Sequence, residues 1–253
     1  MLNFLVATGL LAIIFAATAP ALIEDLATME SKISLLVSKN FPEGQLMEVD
    51  ARYRWPNKTI PWDYLPSASN FSASEKAIIM ASFQEINAKT CVKFVQRTTE
   101  VAYVNVGNNY SGCFVYNLGY VDETWPYYYL NLESNSFCFD LGTRPAIHEM
   151  GHILGLDHEH VRYDRDCYIR IIWQNISKDG WPQFTKRSRL AAYSNLPYDF
   201  KSIMHYTLTA SGKKSIEILS GVDTGLTNNS QIGYLPHLSA SDVSRINSAY
   251  KCN

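Results

Sequence analysis

The sequence predicts an α+β fold, and three observations support this class. Residues 72–90 carry apolar side chains at a helical period, whereas 91–96, 102–106 and 127–132 follow the two-residue period of strands. A histidine-rich segment from about Thr143 again has helical spacing. The 253 residues, 47% apolar and 18% charged, suit one globular domain or two small lobes with a sizeable core.

The N-terminal segment has the pattern of a secretory signal peptide. An uninterrupted apolar run from Phe4 to Ala17 ends in small residues, which predicts a signal peptide over 1–21. The run is shorter than the about 20 apolar residues that a transmembrane helix needs, and we expect no membrane anchor. Residues 22–50 lack the apolar density of a domain, so we predict a short propeptide followed by a globular part over 51–253.

Sequons and cysteines agree with this extracellular route. Five Asn-x-Ser/Thr sequons begin at Asn57, Asn70, Asn109, Asn175 and Asn228. The five cysteines are Cys91, Cys113, Cys138, Cys167 and Cys252. Their odd number leaves one thiol over or paired outside the chain, and their spacing leaves the connectivity open. No C-x-x-C spacing occurs, which argues against a cysteine metal site or a thioredoxin-like redox centre.

The globular part begins with a strand and a helix. Residues 59–62 are predicted to form a short edge strand. The helix over 72–90 starts at capping serines, and its apolar positions include Ile79, Phe83 and Ile86. The strands that follow are compatible with either an antiparallel or a mixed sheet.

The C-terminal part is less regular and ends in a helix. Gly, Pro, Thr and Asn residues after His158 mark turns. A final helix is predicted from about Ser239, with Val243, Ile246 and Tyr250 on one face.

Four of the six histidines lie between 148 and 160, at spacings suited to a metal. His148 and His152 are separated by four residues, so on a helix both rings project from one face. Glu149 is adjacent but rotated, which places its carboxylate near a metal-bound water. Gly155 lets the chain adopt a positive φ, end the helix and turn back, so that His158 arrives as a third ligand.

This set of residues predicts one zinc ion per chain. Neutral imidazole is the commonest nitrogen ligand of zinc, and three protein ligands leave a position open for water. Zinc lowers the pKa of water from about 15.7 towards about 7, and Glu149 can take the proton as the water attacks a carbonyl. The net charge of −2 is near neutral, so it does not indicate binding to nucleic acid or to an anionic membrane.

The residues around the third histidine resemble the signature of the astacin family of metzincin zinc peptidases. The matching segment, 148–166, reads H-E-x-x-H-x-x-G-x-x-H-E-x-x-R-x-D-R-D. Residues 202–206 resemble the Met-turn of that family, and 54–61 and 90–95 add further matches. Together they cover roughly residues 53 to 252. The resemblance implies two lobes, the first with a twisted, mostly parallel or mixed sheet and two long helices, the second largely irregular with a final helix.

The resemblance also implies roles for single residues. His148, His152 and His158 would bind zinc, and Glu149 would act as general base and acid. Tyr206 would be a fifth, switchable ligand that leaves the metal and donates a hydrogen bond to the oxyanion.

Three further positions would support this site. Met204 would lie beneath the metal without coordinating it, and Gly155 would allow the turn to the third ligand. Glu159 would bind the new N-terminus made by propeptide removal, whereas without the resemblance it would be interpreted as a solvated charge. Arg162, Asp164, Arg165 and Asp166 would form a structural charge cluster.

The resemblance implies two disulfides and shows two departures from the family pattern. The bridges would be Cys91–Cys252 and Cys113–Cys138. The first departure is Cys167, which follows Asp166 where the family commonly has Asn. Cys167 would be the unpaired thiol, with a buried free cysteine of no role as the simpler interpretation. The second departure lies in the predicted propeptide, where Gln45 replaces the aspartate that binds zinc and keeps the zymogens of relatives inactive. Glutamine is a poor zinc ligand. Glu43 or Asp50 would be the substitutes.

These patterns predict a secreted, monomeric zinc endopeptidase acting on protein or peptide substrates. The alternative is a non-catalytic secreted homologue that serves as a binding or toxin-like protein. Such proteins usually lose a ligand or the glutamate, and here none is missing. A third hypothesis, an intracellular zinc enzyme, conflicts with the signal peptide and the sequons.

Overall fold

The structure is a computed structural model, and it describes residues 53–65, 71–125, 128–187, 196–210 and 212–252. The predicted signal peptide over 1–21 and propeptide over 22–50, including Gln45, lie outside these residues. In the described ranges, no helix combines the length and the apolarity needed to cross a membrane.

A five-stranded mixed sheet forms the first half of the described chain, in the order β2-β1-β3-β5-β4. The strands are β1 (Thr59–Tyr64), β2 (Lys93–Gln96), β3 (Val104–Gly107), β4 (Cys113–Val115) and β5 (Tyr129–Leu132). Neighbouring strands are parallel except for β4, which is antiparallel to β5 and lies at one edge. The mostly parallel, mixed sheet implied by the resemblance is therefore confirmed.

The prediction that residues 59–62 form an edge strand is wrong. Strand β1 lies inside the sheet, between β2 and β3. Leu65 N donates to Val106 O, so by the two-residue alternation the nitrogen of Pro61 also faces the β3 side. Pairing with β3 begins only at Trp62, opposite Val104. Proline has no N–H to donate to a neighbouring strand. The nitrogen of Pro61 faces the segment that precedes β3, where β1 has no strand partner, so no hydrogen bond of the sheet is lost.

Two helices pack on the sheet, α1 (Ala73–Lys89) and α3 (Arg144–Ile153), with the short α2 (Phe137–Asp140) between them in sequence. Ser72 and Glu75 form a capping box at the start of α1. The ring of Phe83 stacks on Trp62 and on Phe94, with centroids 4.5 and 4.9 Å apart. Helix α1 thus buries its apolar side against β1 and β2.

The C-terminal part has a smaller hydrophobic cluster of its own. Its short strands are β6 (Ile169–Ile171), β7 (Thr209–Ala210), β8 (Lys213–Lys214) and β9 (Ile216–Ile218). Strand β6 pairs with β9 and β7 with β8, both antiparallel. The buried cluster around them is formed by Ile169, Ile171, Ile176, Phe184, Tyr198, Phe200, Ile216 and Ile232.

The last helix, α4 (Ala240–Ala249), returns to the first core. Ser239 caps it together with Asp242, which confirms the predicted start. Ile246 and Tyr250 are buried in the cluster that contains the sheet and helices α1 and α3. The Cys91–Cys252 disulfide ties the end of the chain to the start of β2, and Cys113–Cys138 ties β4 to α2.

Candidate metal centre

The site is built on α3 and the turn that ends it. Gly155 has a φ of +92° and follows the last helical residues. Its N–H donates to His152 O at 2.8 Å, and the next N–H, of Leu156, donates to Gly151 O at 2.9 Å. This pair of bonds is a Schellman motif, which a residue without a Cβ favours. The turn brings the chain back so that His158 lies beside the helix.

The structure brings the three predicted histidines together. His148 and His152 lie one turn apart on α3, and one ligand atom from each of the three rings lies within 4.8 Å of the other two. The Nε2 atom of His158 is 3.2 Å from that of His148 and 3.1 Å from that of His152. His148 and His152 are buried, and His158 is nearly so.

Carbonyl groups fix the proton on two of these rings. Nδ1 of His148 donates to Ile203 O at 2.8 Å, and Nδ1 of His152 donates to Leu156 O at 2.7 Å. A carbonyl only accepts, so each Nδ1 carries the proton and each Nε2 presents a lone pair. Burial lowers the pKa of all three imidazoles, which keeps them neutral.

Three convergent nitrogen atoms form a donor set that fits a zinc ion. Lone pairs that face each other at this range repel one another unless a cation lies between them. Tetrahedral zinc with Zn–N bonds of about 2.0–2.1 Å separates its nitrogen ligands by about 3.3 Å, close to the observed Nε2 spacing. The Nδ1–carbonyl bonds supply the outer support typical of zinc-binding histidines.

Glu149 lies on the same helix, next to the first histidine. Burial raises the pKa of its carboxyl to about 8, and the nearby Arg144 guanidinium opposes this rise. Arg144 is itself half-buried, and its Nη2 donates to Ile203 O at 3.4 Å and to His205 O at 3.3 Å. The sequence motifs do not include Arg144, although its positive charge counteracts the effect of burial on the pKa of Glu149.

The Met-turn passes beneath the helix. Met204 is buried, and a Cβ on Gly151 would lie 2.6 Å from Met204 Sδ, so only a glycine permits this approach. Asp242 of α4 holds the turn: it accepts bonds from Ser202 Oγ at 2.6 Å and from Ile203 N at 2.8 Å. Sequence reasoning identified Met204 but missed Gly151 and Asp242, which are linked to it only through the fold.

Tyr206 lies beside the three histidines. Its ring centroid is 4.3 Å from that of His158 and 6.5 Å from that of His148. Burial raises the pKa of the Tyr206 phenol to about 12, so the hydroxyl remains protonated at neutral pH. His160 stacks on the ring at 4.2 Å, and its centroid is 5.3 Å from that of His158.

Glu159 is a buried member of an ion-pair network. Its carboxylate accepts from Arg245 at 2.5 and 2.8 Å, from Arg162 at 3.3 Å and from Asp199 N at 2.7 Å. The interpretation of Glu159 as a solvated charge is therefore wrong, because α4 supplies Arg245 across the fold. The N-terminus that the resemblance implies as its partner lies outside the described residues.

The neighbouring charges are structural. Arg162 binds Asp164 through two bonds of 2.8 Å and also donates to Leu196 O at 3.0 Å. Arg165 pairs with Asp166 at 3.1 Å. Cys167 is a free thiol, and it is exposed rather than buried, whereas Arg165 is the buried side chain of this short turn.

A match to a protein-family model shows the family of this chain. The model of Astacin, peptidase family M12A, matches residues 47–251. The chain belongs to the astacin family. Membership agrees with the three-histidine geometry, since astacins are zinc-dependent.

Individual astacins show the same likeness. Zinc metalloproteinase nas-7 of Caenorhabditis elegans is 37% identical over 202 residues, which are 78% of this chain and 48% of that protein. Low choriolytic enzyme of Oryzias latipes is 34% identical over 206 residues, covering 79% and 69% of the two chains. The solved structure of high choriolytic enzyme 1, a hatching enzyme zinc-protease from Oryzias latipes, has a TM-score of 0.64 at 31% identity, covering 79% and 94%. The chain spans about half the length of nas-7.

Proposed function

We propose that this chain is a secreted zinc metalloendopeptidase that hydrolyses peptide bonds of protein or peptide substrates. The observation that carries the proposal is the convergence of three imidazole Nε2 atoms beside a buried glutamate. The nas-7 metalloproteinase and the two choriolytic enzymes support it as relatives.

His148, His152 and His158 would hold one zinc ion, with Tyr206 as a fifth ligand before substrate binds. Bound zinc supplies a Lewis acid that polarises a carbonyl and lowers the pKa of water. Met204 would support the ligands from below without coordinating, since its sulfur packs against Gly151 on the helix.

Glu149 would move the proton in the reaction. Its carboxylate takes a proton from the attacking water and returns it to the amine that leaves. Tyr206 would donate its phenolic hydrogen to the oxygen of the scissile carbonyl as negative charge develops there. A donor that binds the transition state more strongly than the substrate lowers the barrier selectively.

The edge of the sheet offers a place for an extended substrate. Strand β4 pairs with β5 on one side, and it is the terminal strand of the sheet in the described part of the chain. A peptide can add to such an edge through main-chain hydrogen bonds, as in other cases of strand addition. We propose that substrate lies along β4, above α3.

Two observations support secretion. The apolar run from Phe4 to Ala17 has the pattern of a signal peptide, and the two disulfides are typical of oxidising compartments. Maturation would then remove the propeptide and release an N-terminus near Glu159, in line with the role that the resemblance implies.

The central test is Glu149→Ala in the secreted, processed protein. We expect this variant to retain one zinc per chain and to lose casein hydrolysis by about 100- to 10,000-fold, because general-base catalysis contributes that much. Glu123→Ala, at an exposed position, is the matched control and should keep full activity.

Three measurements decide between an enzyme and a non-catalytic homologue: zinc content by mass spectrometry, casein cleavage, and its loss with a chelator. Wild-type-like turnover in Glu149→Ala would refute the mechanism. A zinc-loaded wild type without any peptidase activity would favour the binding or toxin-like alternative.

A further inference from the structure

A cavity of about 720 Å³ lies on the face of the sheet opposite to α1 and α3. Val104, Val106 and Leu130 point into the core, so by the two-residue period Asn105 and Tyr129 face the other side. Both line the cavity. Its volume falls within the range of about 300–1,000 Å³ found for small-molecule sites. The cavity is therefore separated from the metal centre by the sheet.

The lining is aromatic and uncharged. Tyr110, Tyr116, Trp125 and Tyr129 contribute rings, and no charged side chain of the described residues lines the cavity. Tyr116 stacks on Tyr129 with centroids 5.8 Å apart, and Tyr110 meets Tyr129 edge-on at 5.7 Å. Tyr110 and Tyr116 are nevertheless 53% and 52% exposed. Aromatic surface left open in this way marks a place where a ligand packs.

A sequon lies at the rim of this cavity. Asn109 lines it and is exposed, and Tyr110-Ser111 completes the acceptor signal. Its backbone N–H donates to Tyr129 Oη at 3.4 Å, while its side-chain amide has no hydrogen-bond partner within the described ranges. The sequon at Asn175 differs, because its Nδ2 donates to Lys214 O at 2.7 Å and a glycan there would break this bond.

We propose that Asn109 carries an N-linked glycan whose first sugars pack in this cavity against Tyr116 and Tyr129. The donor is a lipid-linked diphosphate oligosaccharide. Asn109 Nδ2 forms a bond to the sugar C1, the bond from C1 to the diphosphate oxygen breaks, and the amide loses one proton as the lipid diphosphate leaves.

The chemistry of the sugar matches the lining. One face of an N-acetylglucosamine ring presents C–H groups, which carry the partial positive charge that the negative face of an aromatic ring attracts. Asn105 lines the same cavity; its Nδ2 donates to Tyr128 O at 3.3 Å, so its Oδ1 is the atom that would accept from a sugar hydroxyl or acetamido N–H. Covering the rings also removes apolar surface from water.

This proposal rests on the secretory route of the proposed function, because the donor is used in that pathway. The full chain should be expressed in a glycosylating eukaryotic secretory host, and occupancy at each sequon measured by peptide mass spectrometry. We expect Asn109 to be occupied and Asn109→Gln to lose one glycan mass. An empty Asn109 in secreted protein that carries glycan at Asn57 or Asn228 overturns the proposal and leaves secretion intact. Protein that is retained in the cell without any glycan overturns both.

Packing in the cavity is tested on the native glycoprotein with an amide-cleaving glycosidase. We expect release from Asn109 to be roughly tenfold slower than from the exposed Asn228, the ratio expected of one or two ring contacts. Tyr116→Ala should remove this protection, Tyr116→Phe should keep it, and Tyr234→Ala, at an exposed tyrosine elsewhere, is the control. Equal release rates at Asn109 and Asn228 in the wild type overturn the packing.

Discussion

The ring of Tyr206 is held by side chains that belong to none of the proposed ligands. His160 stacks on it at 4.2 Å, and Phe184 meets it edge-on at 5.7 Å. His160 is fully buried, and its Nε2 donates to Gln183 O at 2.9 Å. The position of the phenol therefore depends on the segment 181–184 as well as on the Met-turn.

Replacing His160 should separate ring packing from metal binding. We expect His160→Ala to lower kcat by roughly 2- to 10-fold, since an aromatic pair contributes about 0.5–1.5 kcal/mol. His160→Phe keeps a ring against Tyr206 and should retain more of the activity. Zinc content and KM should stay near the wild-type values in both variants, and equal kcat values for the two would contradict this role.

Glu149 should couple zinc binding to proton release. Burial raises the pKa of its carboxyl to about 8, so in the metal-free protein it is mostly protonated at about pH 7. A nearby dication favours the carboxylate, so zinc loading should release about one proton more from the wild type than from Glu149→Gln. The three histidines, whose pKa values are lowered by burial, are already neutral and release none.

Titration calorimetry in buffers of different ionisation enthalpy measures this number. At about pH 9 the free carboxyl is already ionised, because the pH is above its raised pKa, and the difference between the two proteins should vanish. A difference that is unchanged between about pH 7 and pH 9 would show that Glu149 is not the group that releases the proton.

Among single residues, the sequence was sufficient to identify those that are related by local spacing. His148, His152, Gly155 and His158 are linked by helical and turn geometry, and the structure brings the imidazoles together. Arg245 could not be assigned to Glu159 from the sequence, because the two are separated by 86 residues and meet only through the packing of α4.

Helix α3 and the Met-turn touch where Gly151 faces Met204. Gly151→Ala would place a Cβ 2.6 Å from Met204 Sδ. The overlap should cost about 1–3 kcal/mol, which exceeds the up to about 1 kcal/mol that alanine gains over glycine in a helix. We expect a lower free energy of unfolding, measured by denaturant titration, and weaker zinc binding.

A double-mutant cycle with Met204→Ala isolates this contact. The shorter side chain leaves room for the added methyl group, so the double variant should be less destabilised than the sum of the single variants by about 0.5–3 kcal/mol. Additive effects would place the cause elsewhere in the helix.

Helices with a long apolar period could be predicted from the sequence, whereas the position of a strand within the sheet could not. Capping residues and apolar period placed α1 and α4 correctly, since both signals are local. The inner position of β1 could not be derived, because strand order depends on crossovers between distant segments. The pairing of β1 with β2 and β3 is needed to show that the nitrogen of Pro61 lies where no hydrogen bond between strands would form.

For the whole molecule, the two disulfides should differ in their contributions to stability. Cys91–Cys252 closes a sequence separation of 161 residues and Cys113–Cys138 one of 25. Chain-entropy arguments assign about 5 kcal/mol to the longer loop and about 3.5 kcal/mol to the shorter one. Replacing Cys91 and Cys252 by serine should therefore lower the free energy of unfolding more than replacing Cys113 and Cys138. The reverse order in equilibrium denaturation would contradict this.

The sequence predicted two lobes but not which elements contribute to each of the two hydrophobic clusters. Composition and the resemblance indicated two lobes, but the membership of α4 in the first cluster follows from contacts of Ile246 and Tyr250 that no local pattern encodes. The irregular second cluster has strands of two or three residues, too short for a periodic signal.

Because α4 completes the first core, the order of synthesis and the order of assembly do not coincide. The ribosome makes the sheet early, yet Asp242, Arg245 and Cys252 reach the Met-turn, Glu159 and Cys91 only after residues 240–252 have emerged. Contacts of such large sequence separation form slowly. Apolar surface of the first core therefore stays exposed until α4 has been made, a state that is compatible with export before folding is complete, and the Cys91–Cys252 bond forms only in an oxidising environment.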